Sequence, residues 1–157
     1  YRDSENSAVD TFDSNKPRHQ ENCHVLPPLR KDMAKKTKIE VEGGVTYGPY
    51  SPAVRVQGSV WLSGQVAPEA GDDVAAQTSA SLDKVDALLA AAGVSKNDVC
   101  YAQVMLSDIA DFPMLNEAYS EWLHGVEVPP ARATFQAILP ANARVEIVVQ
   151  AFDSSDE

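Results

Sequence analysis

From Thr37 onward, polar and apolar positions alternate in blocks whose period changes from two to 3.6 and back, so strands and helices can be read in order. KIEVEG sets Ile39 and Val41 against Glu40 and Glu42 and stops at Gly43-Gly44, a strand signature. Val54-Arg55-Val56 and Val60-Trp61-Leu62-Ser63 flank Gln57-Gly58 and predict a β-hairpin; Gly64 just beyond it predicts a bend or a close backbone approach. Asp72 or Asp73 then caps a long helix, in which Val74, Leu82, Val85, Leu88, Leu89 and Ala92 recur at helical spacing up to the stop at Gly93. Val99 to Leu106 reads as an apolar strand with Cys100, Ala102, Val104 and Leu106 on one face. Asp111 and Pro113 open a second helix with a stripe of Leu115, Ala118, Tyr119, Trp122 and Leu123, ending at Gly125. His124 is expected as a favourable cation at that helix's C-terminus, and Asn116 as a solvated mid-helix residue.

The last stretch, PPARATFQAILPANARVEIVVQAF, holds two more strands. In one, Ala131, Ala133, Phe135 and Ala137 alternate with Arg132, Thr134 and Gln136; in the other, Val145, Ile147, Val149 and Ala151 alternate with Arg144, Glu146, Val148 and Gln150. Placing the small and apolar sets against the core puts Arg132, Thr134 and Glu146 on the opposite face. Val148 and Phe152 make that face partly apolar, so it is expected to be covered, and a covered guanidinium or carboxylate needs a partner. Arg132 and Glu146 are therefore read either as an ion pair or as a site for a charged ligand.

The resulting order, β-β-β-α-β-α-β-β, predicts an α+β fold with a six-stranded sheet and both helices on one face. The other face would be bare in a monomer and carries enough apolar area to predict oligomerisation.

Composition adds constraints. Residues 1–32 are polar, mixed in charge and without periodicity, and are read as a disordered N-terminal tail ahead of a domain over residues 33–157. Met33-Ala34-Lys35-Lys36 resembles an initiation context. Residues 37–157 hold six Lys/Arg against seventeen Asp/Glu, a net of −11, whereas residues 1–36 stand at +1. So acidic a domain repels phosphate backbones, which argues against nucleic-acid binding. The two cysteines, Cys23 and Cys100, are far apart and point to a reducing compartment rather than a disulfide. With no apolar run of membrane-spanning length and no signal-peptide core, a cytoplasmic protein without membrane contact is expected.

Several motifs then line up in sequence: GPYSPAV, LSGQV, DVAAQTSASLDKVDALLAAAG, the aspartate-phenylalanine helix with LNEAYSEW, PPARATF and VEIVVQAF. From about Tyr47 to Phe152 this ordered set resembles the Rid family of reactive intermediate deaminases, the YjgF type. The resemblance implies a chorismate-mutase-like fold and a homotrimer with clefts between subunits. It also implies hydrolysis of 2-aminoacrylate and related enamines or imines to 2-oxo acids and ammonia, with neither cofactor nor metal. By the same resemblance Arg132 would bind the substrate carboxylate and Glu146 would position water and shuttle protons. Tyr50, Ser63, Asn116 and Thr134 would line the cleft. The chain departs from the family pattern at Pro52, at Ala67 and in a shorter Arg132–Pro140 segment. The alternative reading is a noncatalytic trimer that binds small carboxylates or acts as an interaction protein.

Overall fold

The computed structural model describes residues 35–44, 46 and 48–153. The tail expected over residues 1–32 lies outside them. Strand β1 (Thr37–Ile39) is shorter than the alternation to Val41 implies, because a turn through Glu42-Gly43 brings Gly44 N to Val41 O at 3.0 Å and ends the ladder. The predicted hairpin forms as β2 (Ala53–Val56) and β3 (Ser59–Leu62), with Gln57 in the left-handed region at φ 53° to close the two-residue turn.

Helix α1 (Val74–Ala91) begins where Asp73 accepts the Ala76 N–H at 2.8 Å. It ends at Gly93, whose φ of 77° lets its own N–H reach Ala90 O and the Val94 N–H reach Leu89 O, the paired closure that only a left-handed residue permits cheaply. Strand β4 (Val99–Leu106), helix α2 (Phe112–Trp122), strand β5 (Ala131–Gln136) and strand β6 (Val145–Phe152) follow. The sheet order is β1-β2-β3-β6-β4-β5, with every pair antiparallel except β4 and β5, which α2 connects as a crossover. Both helices cover one face, as expected. Their Leu82, Val85, Leu89 and Leu115 form one core with Val60, Leu62, Val104, Val145, Ile147 and Val149 of the strands. Each such side chain contributes roughly 1.5–3 kcal/mol by leaving water.

Three expectations fail. Cys100 does not share a face with Ala102, Val104 and Leu106: the register against β6 slips between Val99 and Tyr101, so one extra residue is accommodated in a bulge. Val99 turns inward and Cys100 is exposed.

The second failure decides the site. In the parallel pair, Ala102 stands beside Arg132 and Val104 beside Thr134, and Ala102 and Val104 are fully covered by the helical layer. Arg132 and Thr134 therefore point towards the helices. Ala131, Ala133 and Phe135 join Tyr101, Gln103 and Met105 on the open face. Glu146, opposite Met105, lies on that open face with Val148 and Phe152. Arg132 and Glu146 of one chain are thus on opposite sides of the sheet, not on a shared face. The open face is apolar nonetheless, with Trp61, Phe135 and Phe152 each 42–43% exposed.

Third, the cation at the C-terminus of α2 is Lys96, whose Nζ donates to Trp122 O at 2.7 Å and His124 O at 3.1 Å; the His124 side chain is not what caps those carbonyls.

Candidate active site

Arg132 is held by one stripe of α2. Its Nη2 donates to Asn116 Oδ1 at 2.7 Å, and its guanidinium carbon lies 4.7 Å from the centroid of Tyr119 and 5.6 Å from that of Phe112. Phe112, Asn116 and Tyr119 are spaced i, i+4, i+7, so a single helical face presents an aromatic ring, an amide and a second ring to the edge strand. Asn116 is therefore engaged and half-buried, not solvated. Thr134, two residues further along the same side of β5, has a buried hydroxyl that meets no hydrogen-bond partner among the described residues.

Glu146 is built differently. Burial raises its carboxyl above the usual range, and among the described residues it joins none of the ion pairs. The carboxyl lies over the backbone of Gly64. A Cβ placed there would stand 2.7 Å from Glu146 Cδ, nearer than real carbon contacts, so the bend anticipated at this glycine proves to be a close approach. Gln65 continues the contact by exchanging backbone hydrogen bonds with Ile147 at 2.8 and 3.0 Å. Gly64→Ala should push the carboxyl towards solvent, and an NMR titration of Glu146 should then show a lower midpoint; an unchanged midpoint would mean that the carboxyl does not depend on this backbone.

Tyr50 and Ser63 complete the Glu146 side. Ser63 Oγ donates to Ser51 O at 2.8 Å and Ser63 N to Pro52 O at 2.9 Å, which ties the Tyr50 loop to the end of β3. Pro52 takes part through its carbonyl, so its departure from the family pattern leaves this tie intact. Tyr50, Ser63, Gly64, Val66, Pro68, Pro140, Ala141 and Glu146 surround a groove of about 580 Å3. The connection from β5 to β6 passes through Ala141 and Asn142, both left-handed at φ 54° and 55°.

The candidate residues thus fall into two groups within a chain: Arg132, Asn116 and Thr134 beside α2, and Tyr50, Ser63 and Glu146 around the groove. Sequence reasoning missed Phe112 and Tyr119 as the support of Arg132, although their helical spacing carried the signal. It also missed the pairing of Arg144 with buried Asp111 at 2.5 Å, where the Arg144 backbone N–H also donates to Gln77 Oε1 at 2.8 Å. That clasp anchors the start of β6 two residues before Glu146, and no periodicity announces it. Among the described residues no group of three or more His, Cys, Asp or Glu is placed to hold a metal ion, and no helix is long and apolar enough to cross a membrane.

Comparison with known proteins agrees with this architecture. The family signature described as Endoribonuclease L-PSP matches residues 32–152. The RutC family protein in leuC 5'region of Leuconostoc mesenteroides subsp. cremoris is 36% identical over 128 residues, covering 76% of this chain and 98% of its own. The 2-iminobutanoate/2-iminopropanoate deaminase of Mus musculus is 39% identical over 107 residues, covering 64% and 78% respectively. The crystal structure of RidA from the Antarctic bacterium Psychrobacter sp. PAMC 21119 superposes with a TM-score of 0.69 at 35% identity, covering 74% of this chain and 99% of that one. With six strands, two helices and a sequence match across the whole folded part, the chain belongs to the Rid family of YjgF- and RutC-type proteins.

Proposed function

We propose that the protein hydrolyses 2-aminoacrylate and related enamines or imines to 2-oxo acids and ammonia, in clefts between the subunits of a homotrimer. The observation that carries this reading is the separation of Arg132 and Glu146 onto opposite sides of one sheet. A cleft that uses both must take Arg132 from one chain and Glu146 from another, and the apolar open face around Trp61, Phe135 and Phe152 supplies the area to bury in bringing chains together. The mouse relative's name supplies the reaction class.

The chemistry needs little from the protein. Arg132, with in-plane N–H groups beyond the one given to Asn116, is suited to a bidentate grip on the substrate carboxylate. An enamine substrate first tautomerises to the imine by moving a proton from nitrogen to its methylene carbon; water then adds to the imine carbon as Glu146 accepts a proton and passes it to nitrogen, giving the carbinolamine. Glu146 next relays the carbinolamine's hydroxyl proton to nitrogen, and ammonia leaves as the C=O bond forms. A carboxyl whose pKa is raised by burial is better matched to this proton traffic near neutrality than an ordinary glutamate. The charge of −11 over residues 37–157 disfavours an RNA substrate, despite the family description.

The test generates 2-aminoacrylate in situ with a serine dehydratase and follows pyruvate release. The expected result is release well above the uncatalysed rate, from a species of about three times the 16.9 kDa chain mass in sedimentation. Stoichiometric 2-oxo acid binding without acceleration would instead identify a noncatalytic carboxylate binder, and a stable monomer would remove the intersubunit cleft.

A further inference from the structure

We propose that Tyr119 is the positioning residue of the Arg132 side: its ring face holds the guanidinium in the orientation that takes a carboxylate, and the ring, not the phenolic hydroxyl, sets the affinity. This rests on the reading of Arg132 as the carboxylate clamp.

Three observations lead here. The guanidinium carbon is 4.7 Å from the Tyr119 centroid, well inside the range of a cation–π contact, with Phe112 further off at 5.6 Å. Tyr119 is 4% exposed, while Phe112 is 37% exposed, so Tyr119 is the fixed support and the less screened one. Finally, the Tyr119 hydroxyl is buried with no hydrogen-bond partner among the described residues, so within the chain it contributes nothing that phenylalanine would not. Burial raises the phenol's pKa, with the charge of Arg132 acting the other way, which keeps it neutral at working pH and out of proton transfer.

The arrangement solves a particular problem. An arginine at a half-covered sheet edge is usually held by a carboxylate, but a carboxylate would cancel the charge and occupy the N–H groups that a substrate needs. A ring beneath the guanidinium stabilises the charge through its π face and consumes no in-plane donor. Among the described residues Arg132 joins no ion pair, and Asn116, a neutral acceptor, takes one N–H. The clamp is therefore oriented without being neutralised.

The test uses the full chain and 2-oxobutanoate as the probe, with affinity by calorimetry, steady-state kinetics on in situ imine, and melting temperature. Tyr119→Leu should weaken 2-oxobutanoate about 3–30-fold, the scale of a partly desolvated cation–π contact, with KM rising more than kcat falls. Tyr119→Phe should recover most of that loss. Because the leucine variant risks misfolding, a series of phenylalanine and mono-, di- and trifluorophenylalanine at position 119 changes the ring's face at nearly constant shape. Affinity that falls stepwise with fluorination at constant melting temperature supports the proposal. A flat series, in a protein where Arg132→Ala still abolishes binding, overturns it and leaves the clamp standing. Normal binding by Arg132→Ala removes the clamp itself, and Tyr119's role with it.

Discussion

Glu146→Gln should lose about 10²–10⁴-fold of imine hydrolysis while keeping 2-oxo acid affinity within a small factor. The substitution removes charge and proton exchange but almost no volume, so packing over Gly64 is preserved and lost turnover reports chemistry. Two further readouts come from the direction of the pKa. Because burial raises the carboxyl, kcat/KM in the native protein should fall as pH drops through a midpoint above the ordinary glutamate value. Stability runs the opposite way with pH: a carboxyl that holds its proton more tightly folded than unfolded is most favourable below the unfolded pKa, and that contribution is lost as pH rises through the folded value. Glutamine never ionises, so Glu146→Gln should melt higher than the native protein at neutral pH and show no such gain below the ordinary carboxylate range. A variant with undiminished turnover would make Glu146 a structural residue.

Arg132→Ala should fail in the other way, losing 2-oxo acid binding by about 10–100-fold or more along with turnover, since a charge-assisted bidentate contact contributes roughly 1.5–3 kcal/mol. Its effect on stability should be small. The side chain leaves behind two ring faces and one half-buried amide oxygen that water can reach, not an unpaired ion. Arg132→Lys should rescue little, because a lysine offers a point charge without the planar fork and stacks poorly on Tyr119. The measurement is calorimetric binding of 2-oxobutanoate beside steady-state turnover; equal loss of binding in Arg132→Ala and Glu146→Gln would deny the division of labour.

Most of the architecture was legible because it rests on local signals. The caps of α1, the Gln57-Gly58 turn and the apolar stripes each involve residues close in sequence, and the structure repeats them. Face assignment on β5 was not legible, because polarity alone puts Ala131, Ala133 and Phe135 inside and Arg132 outside. At that edge the helical layer offers aromatic faces to a cation, while the apolar set faces a surface left open within one chain. Hydropathy has no term for a guanidinium on a ring. The bulge at Cys100 was equally hidden, since one inserted residue leaves the composition of a strand unchanged while reversing its parity. Arg132 and Glu146 were singled out as a pair, but the supposition that they share one face of the sheet came from that wrong parity.

The position of β6 bears on how the protein is made. This strand, the last of the six, lies between β3 and β4 and is the sole link between the N-terminal hairpin strands and the β4–β5 pair. A ribosome must therefore release the chain through Phe152 before the sheet has a middle. Until then two separate sets of strands wait with unpaired edges beside an uncovered α1, the kind of species that holdase chaperones capture. Closing the sheet at that moment joins residues far apart in sequence, which slows folding relative to a helical domain of the same size. A premature stop ahead of Val145 would remove one eight-residue strand, yet what remained would be two fragments of sheet with no strand to join them.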